Sequence, residues 1–189
     1  LKEGLIGGRC RLDKELLNAN ADLISPLQSW GPELRYFTEF EEKVDEKSSL
    51  CDVFVEKPTI ITKIDASVNM YHHFCDFLNL YASQHVNNTE PHSFMTDTQV
   101  LIWESYPYAS NFGVAWKAFT KNPLWNLDKV AGKRVCFKNL LLPLLPRIIF
   151  GLYYNTPVIW GCEESGLFHA FSHHMMHRLG VQSRSERGS

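Results

Sequence analysis

Between Thr62 and His85, apolar residues return at three- and four-residue steps: Val68, Tyr71, Phe74, Cys75, Leu78 and Tyr81. That spacing predicts a helix with one broad apolar face. Asp65 or Ser67 offers a side-chain oxygen to cap its first turn. Asn69, His72, His73, Asp76, Asn79 and Ser83 form a polar stripe down the other side, with His72 and Asp76 one turn apart on one face.

The flanking pattern is strand-like. Residues 51–55 and 59–64 are short runs rich in β-branched side chains, with Lys57-Pro58 as the turn between them, and 99–103 and 134–137 have the same character. Residues 111–119 are expected to be helical, with Phe112, Ala115, Trp116 and Phe119 on one side. A last helix is expected over 165–179, with Gly180 as its stop. Residues 12–23 have short helical character that ends at Ser25-Pro26, and the charged stretch 39–49 reads as a solvated loop. Prolines at 143 and 146 hold the apolar run 140–154 in an irregular path. Strands alternating with helices predict a layered α/β domain around a largely parallel sheet. The expected organisation is an N-terminal helical and loop segment over 1–50, a main body over 51–180 and a disordered polar tail over 181–189.

Composition narrows the class. At 189 residues, 44% hydrophobic and 21% charged, the chain is ordinary globular material for one domain. A formal charge of -2 leaves no basic field for nucleic acid. Pro143, Pro146 and Arg147 interrupt the longest apolar run, so no transmembrane segment is expected from it. There is no initial methionine and no charged-then-apolar leader, so a secretory signal is expected to have been removed or to lie outside this sequence. Cys10, Cys51, Cys75, Cys136 and Cys162 include no Cys-x-x-Cys pair, which argues against a structural zinc site. Their pairing is open: free thiols would suit the cytosol, two disulfides and one thiol an oxidising lumen. Asn87-Asn88-Thr89 is a sequon for N-glycosylation at Asn87.

Two histidine clusters bear on chemistry. An imidazole beside a carboxylate, as in His72 and Asp76, can move protons near neutral pH, although the same pairing also serves as an ordinary surface ion pair. His169, His173 and His177 recur every four residues on the last helix, a spacing that puts two imidazoles on one metal ion in zinc peptidases. No glutamate lies between them to act as base, so a histidine-rich solvated helix end is the simpler account and no metal ligands are assigned.

The block NMYHHFCDF, with KPTIITKIDASV before it and LNLYASQHVN after it, resembles the signature region of glycosyltransferase family 61. Within that family it is most similar to the transferases that place O-linked N-acetylglucosamine on EGF domains in the endoplasmic reticulum lumen. SPLQSWGPELRYF, KRVCFK, LLPRIIFGLYYNTP and GLFHAFSHHMMHRL extend the similarity in order, so that it covers residues 10–179. The resemblance implies the Rossmann-like first lobe of a two-lobed GT-B glycosyltransferase, with the second lobe missing and the chain a truncated form. It implies transfer of N-acetylglucosamine from UDP-GlcNAc to Ser or Thr of EGF-like repeats on secreted and membrane proteins such as Notch-type receptors, with inversion. On that reading His72 is the base, Asp76 orients it and Asn69 fixes the loop, while Arg134, Arg147 and Lys138 neutralise the diphosphate. Vertebrate relatives carry Asp-x-Asp after the AFT block; here Ala118 to Thr120 is followed by Lys121-Asn122-Pro123, so a divalent metal is not expected at that place. The alternative is a non-catalytic lumenal module that binds EGF-like repeats.

Overall fold

The computed structural model describes residues 6–19, 29–41, 44–85, 96–148, 151–152 and 166–181. The sequon at Asn87, Cys162 and the expected tail past Val181 lie outside the described residues.

The architecture is mixed α/β with parallel sheets. Chain order runs β1 (Ile6–Gly8), α1 (Lys14–Ala19), α2 (Gly31–Leu34), β2 (Phe37–Glu39), β3 (Val53–Val55), β4 (Thr59–Thr62), α3 (Met70–His85), β5 (Gln99–Ile102), a 3₁₀ turn (Gly113–Ala118), β6 (Trp125–Asn126), a second 3₁₀ turn (Leu127–Lys129), β7 (Val135–Phe137), β8 (Leu140–Leu141) and α4 (Gly166–Leu179). The main sheet has four strands in the order β6-β5-β4-β8, and β1-β2 and β3-β7 are separate pairs. Every pairing is parallel. All four residues of β4 and all four of β5 are buried, as expected of central strands covered on both faces. Lys57-Pro58 therefore does not close a hairpin: β3 pairs with β7, and β4 with β5 and β8.

One face of the sheet carries Ile60, Val100 and Ile102 into a core with Phe77, Leu80 and Tyr81 of α3, Trp116 and Phe119 of the first 3₁₀ turn, and Phe171 and Met175 of α4. Phe77 and Phe119 stack with centroids 5.6 Å apart, and Trp116 meets Phe77 edge-on at 4.9 Å. From the N-terminal segment, Trp30 Nε1 donates to the Pro143 carbonyl at 3.0 Å and Glu33 pairs with Lys63 at 2.9 Å. The last helix ends on Gly180 at φ +67°, the left-handed conformation that glycine adopts without strain.

The helix α3 corrects the expected faces in part: Cys75, Leu78 and Tyr81 of the apolar face are buried as expected. Val68, just before it, is 77% exposed, and Tyr71 and Phe74 are 51% and 39% exposed. Four of the six residues of the expected polar stripe turn inward: His73, Asp76, Asn79 and Ser83 are all buried, while Asn69 is exposed and His72 half-buried. Asn79 and Ser83 bond backbone outside the strands. Asn79 donates to the Leu152 carbonyl at 2.8 Å and accepts from the Leu152 N–H at 2.7 Å, and Ser83 accepts from Leu144 N–H at 2.7 Å. A segment with buried Pro143 and Pro146 cannot complete a ladder, so the helix supplies the missing partners.

Candidate functional site

The loops leaving β4, β5 and β8 converge at the C-terminal edge of the parallel sheet. After β4, residues 63–69 lead into α3, whose N-cap is Asn69: its Oδ1 accepts from His72 N–H at 3.3 Å. The expected caps Asp65 and Ser67 are used otherwise. Ser67 Oγ donates to the Ala109 carbonyl at 3.0 Å, and Ser110 Oγ donates back to the Ser67 carbonyl, which stitches the loop after β4 to the loop after β5. Asp65 turns its carboxylate to His72, 2.6 Å from Nδ1.

Two acid–imidazole pairs result, and neither is the expected one. His72 pairs with Asp65, and its side chain keeps 24% of its surface exposed against 8% for Asp65. A carboxylate only accepts, so Nδ1 carries the proton and the basic lone pair of a neutral ring lies on Nε2. Arg147, from the segment after β8, places Nε 3.0 Å from the same carboxylate and Nη2 3.4 Å from His72 Nδ1. Asp76 serves His73 instead, at 3.2 Å from Nδ1, and both of its oxygens lie 3.2 Å from the Asp65 N–H. The Nε2 of fully buried His73 meets the Tyr108 hydroxyl at 2.5 Å. Burial pushes the Asp76 carboxyl up to about 6, and the hydrogen bond from His73 offsets part of that rise. Burial, with the neighbouring Asp76 charge, also raises the Cys75 thiol.

Asp76 as the residue that orients His72 is thus corrected to Asp65. The reason is geometric: at position 76 the side chain points into the core with His73, while the loop before the helix folds back over His72. Of the three cations expected around a diphosphate, only Arg147 stands beside His72. Arg134 holds Asp52 through contacts of 2.9 and 3.3 Å, an exposed pair that lowers the Asp52 carboxyl. Lys138 is exposed just after β7, where its backbone N–H donates to Val55.

The chain is 58% identical over 182 residues to the EGF domain-specific O-linked N-acetylglucosamine transferase of Drosophila melanogaster, covering 96% of this chain and 35% of that relative. The like-named proteins of Xenopus laevis and Bos taurus are 50% and 48% identical over 96% and 100% of this chain. The chain belongs to their family. It spans about 35% of the length of these relatives. No protein-family model matches it.

Membership in this family leaves the histidines of α4 to their own geometry. His169 and His173 are exposed with Nε2 atoms 3.2 Å apart, and among the described residues no group of three or more His, Cys, Asp or Glu side chains is arranged to hold a metal ion. His174 instead packs on Tyr81 and Phe119, and its Nε2 lies 3.1 Å from the Ala118 carbonyl. Burial lowers its pKa to about 4. No helix among the described residues is long and apolar enough to cross a membrane.

Asp65 and Tyr108 are the site residues that sequence reasoning did not place in the site. Asp65 is legible as an acid between a strand and a helix start, a position whose local pattern suggests capping; nothing in the local pattern marks Tyr108.

Proposed function

We propose that the full-length protein transfers N-acetylglucosamine from UDP-GlcNAc to a Ser or Thr hydroxyl of an EGF-like domain, with His72 as the base. The observation that carries this reading is the meeting of His72, Asp65 and Arg147 beyond the C-terminal ends of β4 and β8. Strand order turns round between those two strands, the kind of place where open α/β sheets bind ligands. The names of the relatives support the reaction and its acceptor.

A hydroxyl is a weak nucleophile, so a base within reach raises its reactivity as it attacks. The hydroxyl oxygen bonds to the anomeric carbon, its proton passes to His72 Nε2, and the bond to the diphosphate breaks with its electron pair leaving on UDP. A single displacement inverts the anomeric centre. Asp65 holds the ring and stabilises the imidazolium that forms, and Arg147 adds positive charge for the leaving diphosphate. On this reading the chain is the acceptor-side, Rossmann-like lobe of a two-lobed transferase of the endoplasmic reticulum lumen. The disulfide between Cys51 and Cys136 supports an oxidising compartment.

The test is His72→Ala in the full-length protein, assayed with UDP-GlcNAc and a purified EGF repeat. Turnover is expected to fall by roughly a hundredfold or more with the fold intact. Near-normal transfer would remove His72 from the reaction.

A further inference from the structure

The reaction above uses Asp65 and His72 and leaves a second, buried pair unexplained. We propose that Asp76, backed by His73 and Tyr108, is a positioning residue that sets the His72 imidazole through the backbone of Asp65.

Asp65 is held at two points. Its carboxylate takes His72 and Arg147, and its N–H points at both oxygens of Asp76. Where the Asp65 carboxylate sits therefore depends on where Asp76 holds the Asp65 backbone. Asp76 is fixed in turn by His73, and His73 by the Tyr108 hydroxyl from the loop after β5. The chain of contacts runs from Tyr108 to His72 through three side chains, those of His73, Asp76 and Asp65, and one backbone amide, with its middle sealed from water: His73 is 0% and Asp76 5% exposed. Apolar residues would fill this volume without the cost of burying a charge, so the pair has to provide something packing does not. What it provides is a fixed direction for one loop amide.

The same arrangement makes the site sensitive to pH. The groups facing Asp76 are His73 and the Cys75 thiol on its own helix and Asp65 on the preceding loop. Tyr108 reaches it through His73, and His72 and Arg147 through Asp65. When Asp76 takes a proton, one of its oxygens becomes a donor, and the amide of Asp65 loses half of its shared acceptor. Burial brings that change to about pH 6. The His72 ring should respond there even though the proton lands on another residue.

This inference deepens the reading of His72 as base, and only its kinetic arm rests on that reading. The experiment uses the full-length protein with ring-labelled histidine, following the His72 carbon resonance between about pH 5 and about pH 8, beside the pH profile of kcat and KM. The His72 resonance of the unaltered protein is expected to show an inflection near 6 that follows the Asp76 proton. Asp76→Asn, which keeps size and an acceptor, should abolish that inflection, with kcat down about tenfold and KM within about twofold. An unchanged inflection near 6 in Asp76→Asn overturns the proposal. If that variant does not fold, Tyr108→Phe decides: a smaller shift of the inflection near 6 supports the proposal, and an unmoved inflection overturns it. Full activity of His72→Ala would defeat the base reading alone, because the resonance data still decide the positioning role.

Discussion

Oδ2 of Asp65 lies 2.6 Å from Nδ1 of His72, so a carboxylate from the β4–α3 loop and an imidazole from the first turn of α3 act as one hydrogen-bonded unit. Asp65→Asn keeps the shape and removes the charge that stabilises a protonated ring. Turnover is expected to drop roughly 10- to 100-fold with little change in thermal stability, read by transfer kinetics and a melting curve on the same sample. A large loss of stability instead would make Asp65 a structural residue first.

Asn79 is fully buried and spends its amide on both backbone groups of Leu152 and on the Cys75 carbonyl. Asn79→Ala leaves the Leu152 N–H and C=O without these partners, at roughly 1–3 kcal/mol for each group left unsatisfied. Urea unfolding should show a loss of at least about 2 kcal/mol. Ser83→Ala gives up the bond from Leu144 N–H and the bond to the Asn79 carbonyl and leaves the Leu144 N–H without that partner, so it should cost about half as much.

These residues show where the sequence was legible and where it was not. β4 and β5 were readable because runs such as TIIT and QVLI suit strands buried on both faces. The last helix was readable from its period and from Gly180. The faces of α3 were legible only in part, because helical spacing separates polar from apolar positions but does not say that both sides meet the protein. Here both do: Cys75, Leu78 and Tyr81 are buried, and on the polar side Ser83 and Asn79 accept hydrogen bonds from the backbone of Leu144 and Leu152. Strand partners were equally hidden: nothing local tells β3 to pair with β7 across 82 positions of register, from Val53 to Val135. The sequence pattern pairs His72 with Asp76, whereas the structure pairs it with Asp65, because the loop fold that brings Asp65 back is tertiary.

Asp76 and His174 give stability opposite dependences on pH. Asp76 has a folded pKa of about 6 against 3.8 in a free chain, so the folded state binds more protons in that window. Its contribution is present below about 3.8 and is lost as pH rises through about 6. His174 has a folded pKa of about 4 against 6.5, so the unfolded state binds the proton first. Its contribution is present above about 6.5 and is lost as pH falls toward about 4. Urea midpoints measured across this range should therefore show Asp76→Asn gaining on the unaltered protein as pH rises, and His174→Gln gaining as pH falls. Parallel curves for all three proteins would contradict both assignments.

A disulfide joins Cys136 of β7 to Cys51, two residues before β3, with Cα atoms 5.7 Å apart and a sequence separation of 85. A two-stranded sheet is marginal alone, and the exposed Arg134–Asp52 pair beside it adds little. The cross-link carries most of the restraint, because it closes a long loop whose freedom the unfolded chain would otherwise regain. Cys51→Ser with Cys136→Ser should lower unfolding free energy by roughly 2–5 kcal/mol. Cys10 is exposed and Cys75 is buried and free, so reductant has no second described disulfide to act on. Reduction under gentle conditions should accordingly shift the urea midpoint of the unaltered protein toward that of the double variant. Equal midpoints before reduction would mean that β3 and β7 stay together without the bond.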